Sequence, residues 1–350
     1  MADPKQRQLS QEGIHIMYGV IFALLAIGAL IAIVLTRSLT DSSSQTSGVT
    51  NALPSFNTVA IAGSSDQSDP WNADDSGAGI TFTSEGSTNT VYIHGKVTDN
   101  NGCIEVKKAN AAWTLDVYRT NVSGGSGCTA NNNDCYKYAT AAAEAIMTED
   151  TCTEDGTDVE HQFEFAVPLQ YYADSTSASA PTYSATTWTA SVGVTDSQAG
   201  AATAGTDTVE INTYNALNVS ATIDFSDDSG GSSLALGFTP TTTQETAMTV
   251  TNTGNNTIDV QVSGTALDCA AGYADIPVGN THWATAASTA YASGTVLSAT
   301  PATADVNIAK SNNGAAATGS IYWKLAIPST GVGGTCSSAI TATAADHDGT

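Results

Sequence analysis

Short runs in which apolar and polar residues alternate recur along this chain, and they constrain its fold more than any other feature. The clearest run is MTVTNTGNNTIDVQVSG (248–264). Successive side chains of a strand point to opposite faces, so each arm of this run has one apolar and one polar face. The residues TGNN (253–256) between the arms tolerate a tight reversal. The run predicts a β-hairpin, and it carries no side chain that can move a proton or hold a phosphate.

Four further runs with the same period lie between residues 54 and 214: TVYIHGKV, AWTLDVYR, HQFEFAVPL and TWTASVGV. Turn-forming stretches such as DNNG, SGGSG, ANNND and DSQAG separate them. Many short alternating strands joined by turns are typical of an antiparallel sandwich. The alanine-rich stretch YATAAAEAIM (138–147) is the exception, and it is ambiguous between a strand and a short helix.

A second β-domain is predicted for residues 215–350. Its run VTNTGNNTIDVQVSG and its closing IYWKLAIPSTGVGGT…ITATA resemble the immunoglobulin-like modules of archaeal and bacterial cell-surface proteins. In the closing run Ile321, Trp323, Leu325 and Ile327 share one face, and Pro328 ends the strand. The resemblance implies a second sandwich that serves as a spacer, adhesin or carbohydrate-binding accessory.

An uncharged apolar segment, IMYGVIFALLAIGALIAIVL (Ile16–Leu35), precedes both domains. Twenty helical residues span about 30 Å, the thickness of the hydrocarbon core of a bilayer. Lys5 and Arg7 precede the segment, which favours a cytoplasmic N-terminus. The sequence thus predicts a mainly β protein with an N-terminal transmembrane helix followed by two antiparallel immunoglobulin-like β-sandwich domains. Its predicted parts are a tail or leader (1–13), the helix (14–37), a flexible spacer (38–53), and the domains 54–214 and 215–350.

The N-terminus also resembles a type IV pilin leader, which is cut after a glycine. KQRQLSQEG followed by the apolar segment would then be processed between Gly13 and Ile14. The chain departs from that motif at Glu12, where a basic residue is usual, and at Tyr18, where a glutamate is usual. This resemblance implies a filament subunit whose apolar helix packs into the filament core.

The charge of the chain is strongly acidic, with Lys+Arg 10 against Asp+Glu 34 and a net charge of −24. Nucleic acids and anionic lipid headgroups bind through clustered Lys and Arg, so nucleic acid is excluded as a partner. Solubility of an exposed surface, growth in high salt and loading with divalent cations each remain open as reasons for the acidity.

The cysteines predict disulfides, because all six follow the apolar segment and their number is even. Cys269 and Cys336 form the only pair within the second domain. The first domain allows three pairings, of which Cys128–Cys135 as a local staple and Cys103–Cys152 as a long bridge are favoured. A zinc site is the alternative, but the chain has no C-x-x-C pair, and its histidines lack the spacing of metal ligands.

Motifs of enzymes are absent from the sequence: it has no G-x-S-x-G, H-E-x-x-H, Walker-type loop or dinucleotide fingerprint. We therefore expect no enzymatic activity, and His94 and His161 are interpreted as strand residues at the solvent face or the edge of the core, not as catalytic bases. No cofactor is predicted except calcium, for which DNNG (99–102), DDSG (227–230) and DHDG (346–349) are candidate loops. Asp99 and Asn101 are the preferred ligands.

These observations predict a single-pass cell-surface protein, structural or adhesive in function, whose C-terminal domains are extracellular; the alternative is an extracellular pilin-like filament. Expected partners are the membrane and either further copies of the chain or a surface glycan or protein. For a glycan, the unassigned aromatic residues are Trp71, Tyr171, Tyr172 and Trp283. Three N-x-[ST] sequons make Asn121, Asn218 and Asn255 candidates for glycosylation.

Overall fold

The strands of residues 55–209 form two antiparallel sheets in a computed structural model of the chain. One sheet has the spatial order β1 (Ser55–Ala62), β2 (Thr88–Thr98), β6 (Glu160–Gln170) and β5 (Met147–Glu149). The other has the order β4 (Cys135–Tyr138), β3 (Ala112–Arg119), β7 (Trp188–Thr195) and β8 (Gly205–Val209). We call this part the first lobe. The structure describes Leu24 and residues 48–65, 79–150, 152, 157–180, 182–220, 222–225 and 233–347.

The two sheets of the first lobe pack face to face, because the apolar side of each predicted alternating run points inward. Ile93 and Phe163 come from one sheet, and Trp113 and Trp188 come from the other; each is at most 1% exposed. The rings of Trp113 and Phe163 meet across the layers with centroids 5.0 Å apart. The ambiguous alanine-rich stretch forms a short helix, α1 (Thr140–Ala145).

The second lobe has a larger sheet in the order β14 (Thr295–Val296), β13 (Thr281–Ala284), β16 (Thr318–Leu325), β10 (Thr246–Asn252) and β9 (Leu217–Val219). The facing sheet has the order β15 (Ala302–Ile308), β11 (Ile258–Gly264) and β18 (Ile340–Asp346). A separate pair joins β12 (Asp268–Cys269) to β17 (Cys336–Ser337). Met248, Val260 and Trp323 lie in one core between the two layers. A mainly β chain with antiparallel sheets and little helix is therefore confirmed.

The predicted hairpin at 248–264 is wrong. β10 pairs with β16 and β9, whereas β11 pairs with β15 and β18, so the two arms lie in opposite layers. Both arms still bury the side that their alternation predicts, since Val250 and Val260 are fully buried. Alternation determines which face of a strand is apolar, but it does not determine which strand pairs with it. The TGNN turn therefore carries the chain from one layer to the other.

All six cysteines form disulfides: Cys103–Cys152, Cys128–Cys135 and Cys269–Cys336. These are the pairs that the sequence analysis favours. The third disulfide joins β12 to β17, whose paired residues include the two cysteines themselves. Residues 51–350 form one compact unit that contains both lobes.

Several predictions concern residues that lie wholly or mostly outside the described part of the chain. The processing site at Gly13 and Ile14 lies outside the described residues, and so does the apolar segment except for Leu24, which is helical and exposed. Trp71 and the loop DDSG (227–230) also lie outside them. Within the described residues, no helix is long and apolar enough to span a membrane.

Candidate functional sites

An acidic triad lies at one end of the first lobe, where three carboxylates from two loops converge. Asp99 follows β2, Glu105 ends a 3-10 turn (Cys103–Glu105), and Asp196 follows β7. One carboxylate oxygen from each residue lies within 4.8 Å of the others. Asp99 is fully buried and Asp196 is 5% exposed, while Glu105 is half-buried. The fold thus concentrates negative charge at a place that water hardly reaches.

Hydrogen bonds account for only part of the oxygen atoms in the triad. Asp99 Oδ1 accepts from the backbone N–H of Asn101 at 2.8 Å, but Asp99 Oδ2 and Glu105 Oε2 are buried without a hydrogen bond. Asp196 Oδ2 accepts from Asn51 Nδ2 at 3.0 Å, and the other amide atom, Asn51 Oδ1, is also buried without a partner. Buried polar atoms are normally paired, so three unpaired oxygens in one place require an explanation.

The pKa values of Asp99 and Glu105 are raised first by burial and then by the nearby like charges. Burial raises the pKa of Asp99, the hydrogen bond from Asn101 opposes this shift, and the charge of Asp196 adds to it. Burial also raises the pKa of Glu105, and the charges of Asp99 and Asp196 raise it further. Both shifts indicate that the charged form lacks compensation by a cation among the described residues.

The two calcium ligands that the sequence analysis prefers have side chains with different partners. Asp99 belongs to the triad, but Asn101 Oδ1 accepts a hydrogen bond from the backbone N–H of Ala52 at 2.5 Å. Sequence reasoning missed Glu105 and Asp196. Glu105 lies six residues beyond Asp99 in DNNGCIE, but Asp196 is brought to the site only by the pairing of β7 with β3.

His347 of the terminal DHDG stretch belongs to a second cluster, together with Asp259 and Asp305. His347 Nδ1 lies 2.9 Å from Asp259 Oδ2, and Asp259 Oδ1 accepts from the backbone N–H of Asn307 at 2.9 Å. Asp305 is exposed. Both carboxylate oxygens of Asp259 are therefore engaged, in contrast to those of Asp99 and Glu105 in the triad.

Contact between the lobes is polar and centres on Asp174, a first-lobe residue that is 3% exposed. Its two carboxylate oxygens bind Arg119 Nε of the same lobe and Lys310 Nζ of the second lobe, each at 2.8 Å. Lys310 Nζ also donates to the backbone oxygen of Tyr172, and the hydroxyls of Tyr171 and Ser311 lie 2.8 Å apart.

The TGNN turn of the second lobe forms the other half of this contact. Asn255 is 1% exposed; its Oδ1 accepts from the backbone N–H of Tyr214, and its Nδ2 donates to the backbone oxygen of Asn212. A Cβ at Gly254 would lie 2.0 Å from the backbone oxygen of Tyr214, so only glycine allows this close approach. The turn residues suggested the tip of a hairpin. They instead bind residues 212–214 of the segment that connects the lobes.

The three sequons differ in their accessibility. Asn121, in a turn with φ 69°, and Asn218, on β9, are exposed. Asn255 is buried and its amide nitrogen is engaged in the contact between the lobes, so the folded chain leaves no room for a glycan there.

His94 and His161 are both buried in the first lobe. His161 lies between two carboxylates: its Nε2 is 3.1 Å from Glu149, and its Nδ1 is 3.4 Å from Asp150. Burial lowers the pKa of His161 more than these carboxylates raise it. The hydrogen bond of His161 Nε2 is thus made with a carboxylate.

The described aromatic residues considered for glycan binding lie in packed positions. Trp283 belongs to the core of the second lobe, and Tyr172 is 4% exposed beside Tyr171, with ring centroids 4.9 Å apart. Two shallow depressions in the described part of the chain, one beside Trp283 and one beside Phe238, are open to solvent. Neither has the enclosed volume of about 300–1,000 Å³ that is usual for a small-molecule site.

Comparisons with known proteins give no family: no family model matches the sequence, and no curated protein matches it. Among solved structures, the chain is similar to the CsuC–CsuE chaperone–tip adhesion subunit pre-assembly complex of Csu pili from Acinetobacter baumannii. That match has 8% identity and a TM-score of 0.28, and it covers 76% of this chain and 96% of the other. A chaperone–tip adhesin complex of CFA/I fimbriae matches with 9% identity and a TM-score of 0.24, over 86% and 91% of the two chains. Such TM-scores do not establish a common fold.

Proposed function

We propose that this chain is a cell-surface protein that displays two β-sandwich lobes outside the cell, in a structural or adhesive role, and is anchored by the segment Ile16–Leu35. The observation that carries the proposal is the pairing of all six cysteines into disulfides. Disulfides persist in oxidising surroundings and are rare in the cytosol. An acidic surface with few basic residues suits the same exposed location.

The second lobe supports the proposal as an immunoglobulin-type module. Its strands β9, β10, β16 and β13 follow the A-B-E-D order of such domains, and β11 pairs with β18 in the facing layer as strand C pairs with strand F. Modules of this type serve as spacers and as adhesins, so the fold is compatible with both roles.

The contact between the lobes favours a structural role. Asp174 links Arg119 to Lys310, and Asn255 binds the connecting segment, so polar bonds tie the lobes together at two places. A unit whose lobes keep a fixed relative arrangement suits a stalk or coat subunit, which has to hold its neighbours in place. The described aromatic candidates for a glycan platform are in packed positions, which gives a carbohydrate-binding role less support.

The topology of the full chain tests the proposal. We expect an epitope placed after Thr350 to be accessible to antibody on intact cells, and an epitope placed before Met1 to be accessible only after permeabilisation. A cytoplasmic enzyme of known topology serves as the control for cell integrity. A C-terminal epitope that is detected only in permeabilised cells would show that the lobes are intracellular and would refute the proposal.

The pilin-like alternative is tested by the N-terminal mass of the native protein extracted from membranes. A chain that begins at Met1 or Ala2 retains the leader, as the permanent anchor requires. A chain that begins at Ile14 has been cut after Gly13, and the function would then be that of a filament subunit.

A further inference from the structure

The acidic triad of Asp99, Glu105 and Asp196 contains more negative charge than its described surroundings compensate. No lysine or arginine makes an ion pair with any of the three carboxylates among the described residues. Buried charges are costly unless a partner or a metal ion compensates them. Surface clusters of acidic residues are common, but Asp99 is fully buried, and its Oδ2 has no hydrogen bond. A buried oxygen without a hydrogen bond indicates a missing partner, whether or not other carboxylates lie nearby.

The spacing of the oxygens matches a bound cation. Calcium binds oxygen ligands at about 2.3–2.6 Å, so two ligands on opposite sides of one ion are up to about 5 Å apart. The clustered carboxylate oxygens lie within 4.8 Å of one another. One ion bound at this cluster would compensate the charges of Asp99 and Glu105, each of which has a buried oxygen without a hydrogen bond.

The chemistry of the donor atoms selects the kind of ion. All three clustered ligands are carboxylates, whereas zinc sites are built mainly from histidine and cysteine. Magnesium usually keeps several waters and binds through one or two carboxylates, while calcium accepts more protein oxygens in a flexible geometry. Asn51 Oδ1, unpaired and next to Asp196, is a fourth oxygen at this end of the lobe.

We propose that Asp99, Glu105 and Asp196 bind one calcium ion, which links two loops of the first lobe directly and a third segment through Asp196. One segment is the loop that contains Asp99 and Glu105, and it also carries the Cys103–Cys152 disulfide. Another is the turn after β7, in which Asp196 Oδ1 accepts from the backbone N–H groups of Gln198 and Gly200. The third begins at Asn51, where the chain enters the lobe.

The first experiment is a titration of the full chain in detergent, stripped with EDTA and desalted, with CaCl₂ as the only added ligand. Isothermal calorimetry is expected to give one ion per chain, and circular dichroism is expected to show a higher Tm with calcium, because a ligand that binds only the folded state stabilises it. MgCl₂ at the same concentration is expected to raise the Tm less. A chain that neither binds calcium nor changes its Tm would overturn the proposal, and so would equal responses to both ions.

Two variants locate the ion. Glu105→Gln keeps the size of the side chain, and it is expected to weaken calcium binding by at least about tenfold. The same variant removes one of three repelling charges, so its Tm in EDTA is expected to equal or exceed that of the unchanged protein. Asp196→Asn retains an oxygen for the turn and is expected to weaken binding similarly.

The matched control is Glu210→Gln, which removes an equal charge from an exposed position of the same lobe. It should bind calcium as the unchanged chain does. Equal calcium affinity in Glu105→Gln, Asp196→Asn and the control would place the ion elsewhere and overturn the assignment. The calcium response of the unchanged chain gives a result even if a variant does not fold.

Discussion

Replacing Asp174 by asparagine is expected to destabilise the chain far more than replacing Lys310, although the two residues form one ion pair. Asp174 binds Arg119 and Lys310 simultaneously, each at 2.8 Å. The side chains of Arg119 and Lys310 are only 9% and 21% exposed. Asp174→Asn therefore removes the shared carboxylate from two largely buried cations, of which Arg119 keeps a longer ion pair with Asp134 at 3.5 Å. Breaking a buried pair costs up to about 3–5 kcal/mol of unfolding free energy.

Lys310→Met has a smaller expected effect, because Asp174 keeps its bond to Arg119 and no buried charge is left unpaired. The methionine also keeps an unbranched apolar side chain of similar length. The loss is then that of the ion pair with Asp174 and of the hydrogen bond to the backbone oxygen of Tyr172, together about 1.5–3 kcal/mol because Lys310 is partly exposed. Lys96→Met, which removes a partly exposed ion pair with Glu160, is the control and should cost less than about 1 kcal/mol.

Urea denaturation followed by tryptophan fluorescence measures all three variants against the unchanged protein. Extrapolated unfolding free energies carry an error of about 10–15%, so midpoints should be compared at constant slope. The expected order of destabilisation is Asp174→Asn, then Lys310→Met, then Lys96→Met. Equal losses for Asp174→Asn and Lys310→Met would show that Arg119 does not depend on Asp174, and the reasoning from a shared carboxylate would be refuted.

Three further predictions concern single features of the fold. Gly254→Ala should lower the unfolding free energy by about 1–3 kcal/mol, because its Cβ would meet the connecting segment, whereas Gly127→Ala, with nothing within 4 Å, should leave the urea midpoint unchanged. Replacing both Cys103 and Cys152 by alanine should cost about 4 kcal/mol by the loop-closure relation for a separation of 49 residues; no change in Tm would contradict it. The lowered pKa of His161 means that the unfolded chain binds its proton more readily, so stability should fall as the pH drops below about 6.5. His161→Gln should reduce this loss in thermal unfolding at pH 7 and pH 5, and an identical loss in both proteins would exclude His161 as its cause.

The sequence predicted which side of each strand is buried, but it did not predict how strands pair. Val250 and Val260 are buried as their alternation requires, yet their strands lie in opposite layers. Local pattern depends on residues two positions apart, whereas pairing depends on strands such as β16 and β18 that come much later in the chain. The same limit explains Asn255, because nothing within its sequon indicates that residues 212–214 cover it.

Only one residue of the candidate metal site, Asp99, was predicted from the sequence. Asp99 was identified because DNNG has the composition of a cation-binding turn, but Asn101 was chosen as its neighbour in sequence. The structure directs the Asn101 side chain to the backbone of Ala52 and brings Glu105 and Asp196 to Asp99 instead. A ligand set assembled from two loops depends on the register between β3 and β7, which short motifs do not encode.

The polar contact between the lobes and the acidic triad place charged side chains at two positions where a simple sandwich would have apolar ones. Buried ionic groups stabilise a protein little when they replace good apolar packing. Removing one partner of a buried ion pair, however, lowers the unfolding free energy by several kcal/mol. Both sites therefore make the arrangement of the chain depend on specific partners: Lys310 for Asp174, and the proposed calcium ion for Asp99. In a protein proposed to work outside the cell, the lobes would then keep their fixed arrangement only when the Asp174–Lys310 contact is formed and calcium is bound. Chelation would then loosen the first lobe at the triad while leaving the Asp174 contact intact, and Lys310→Met would do the reverse.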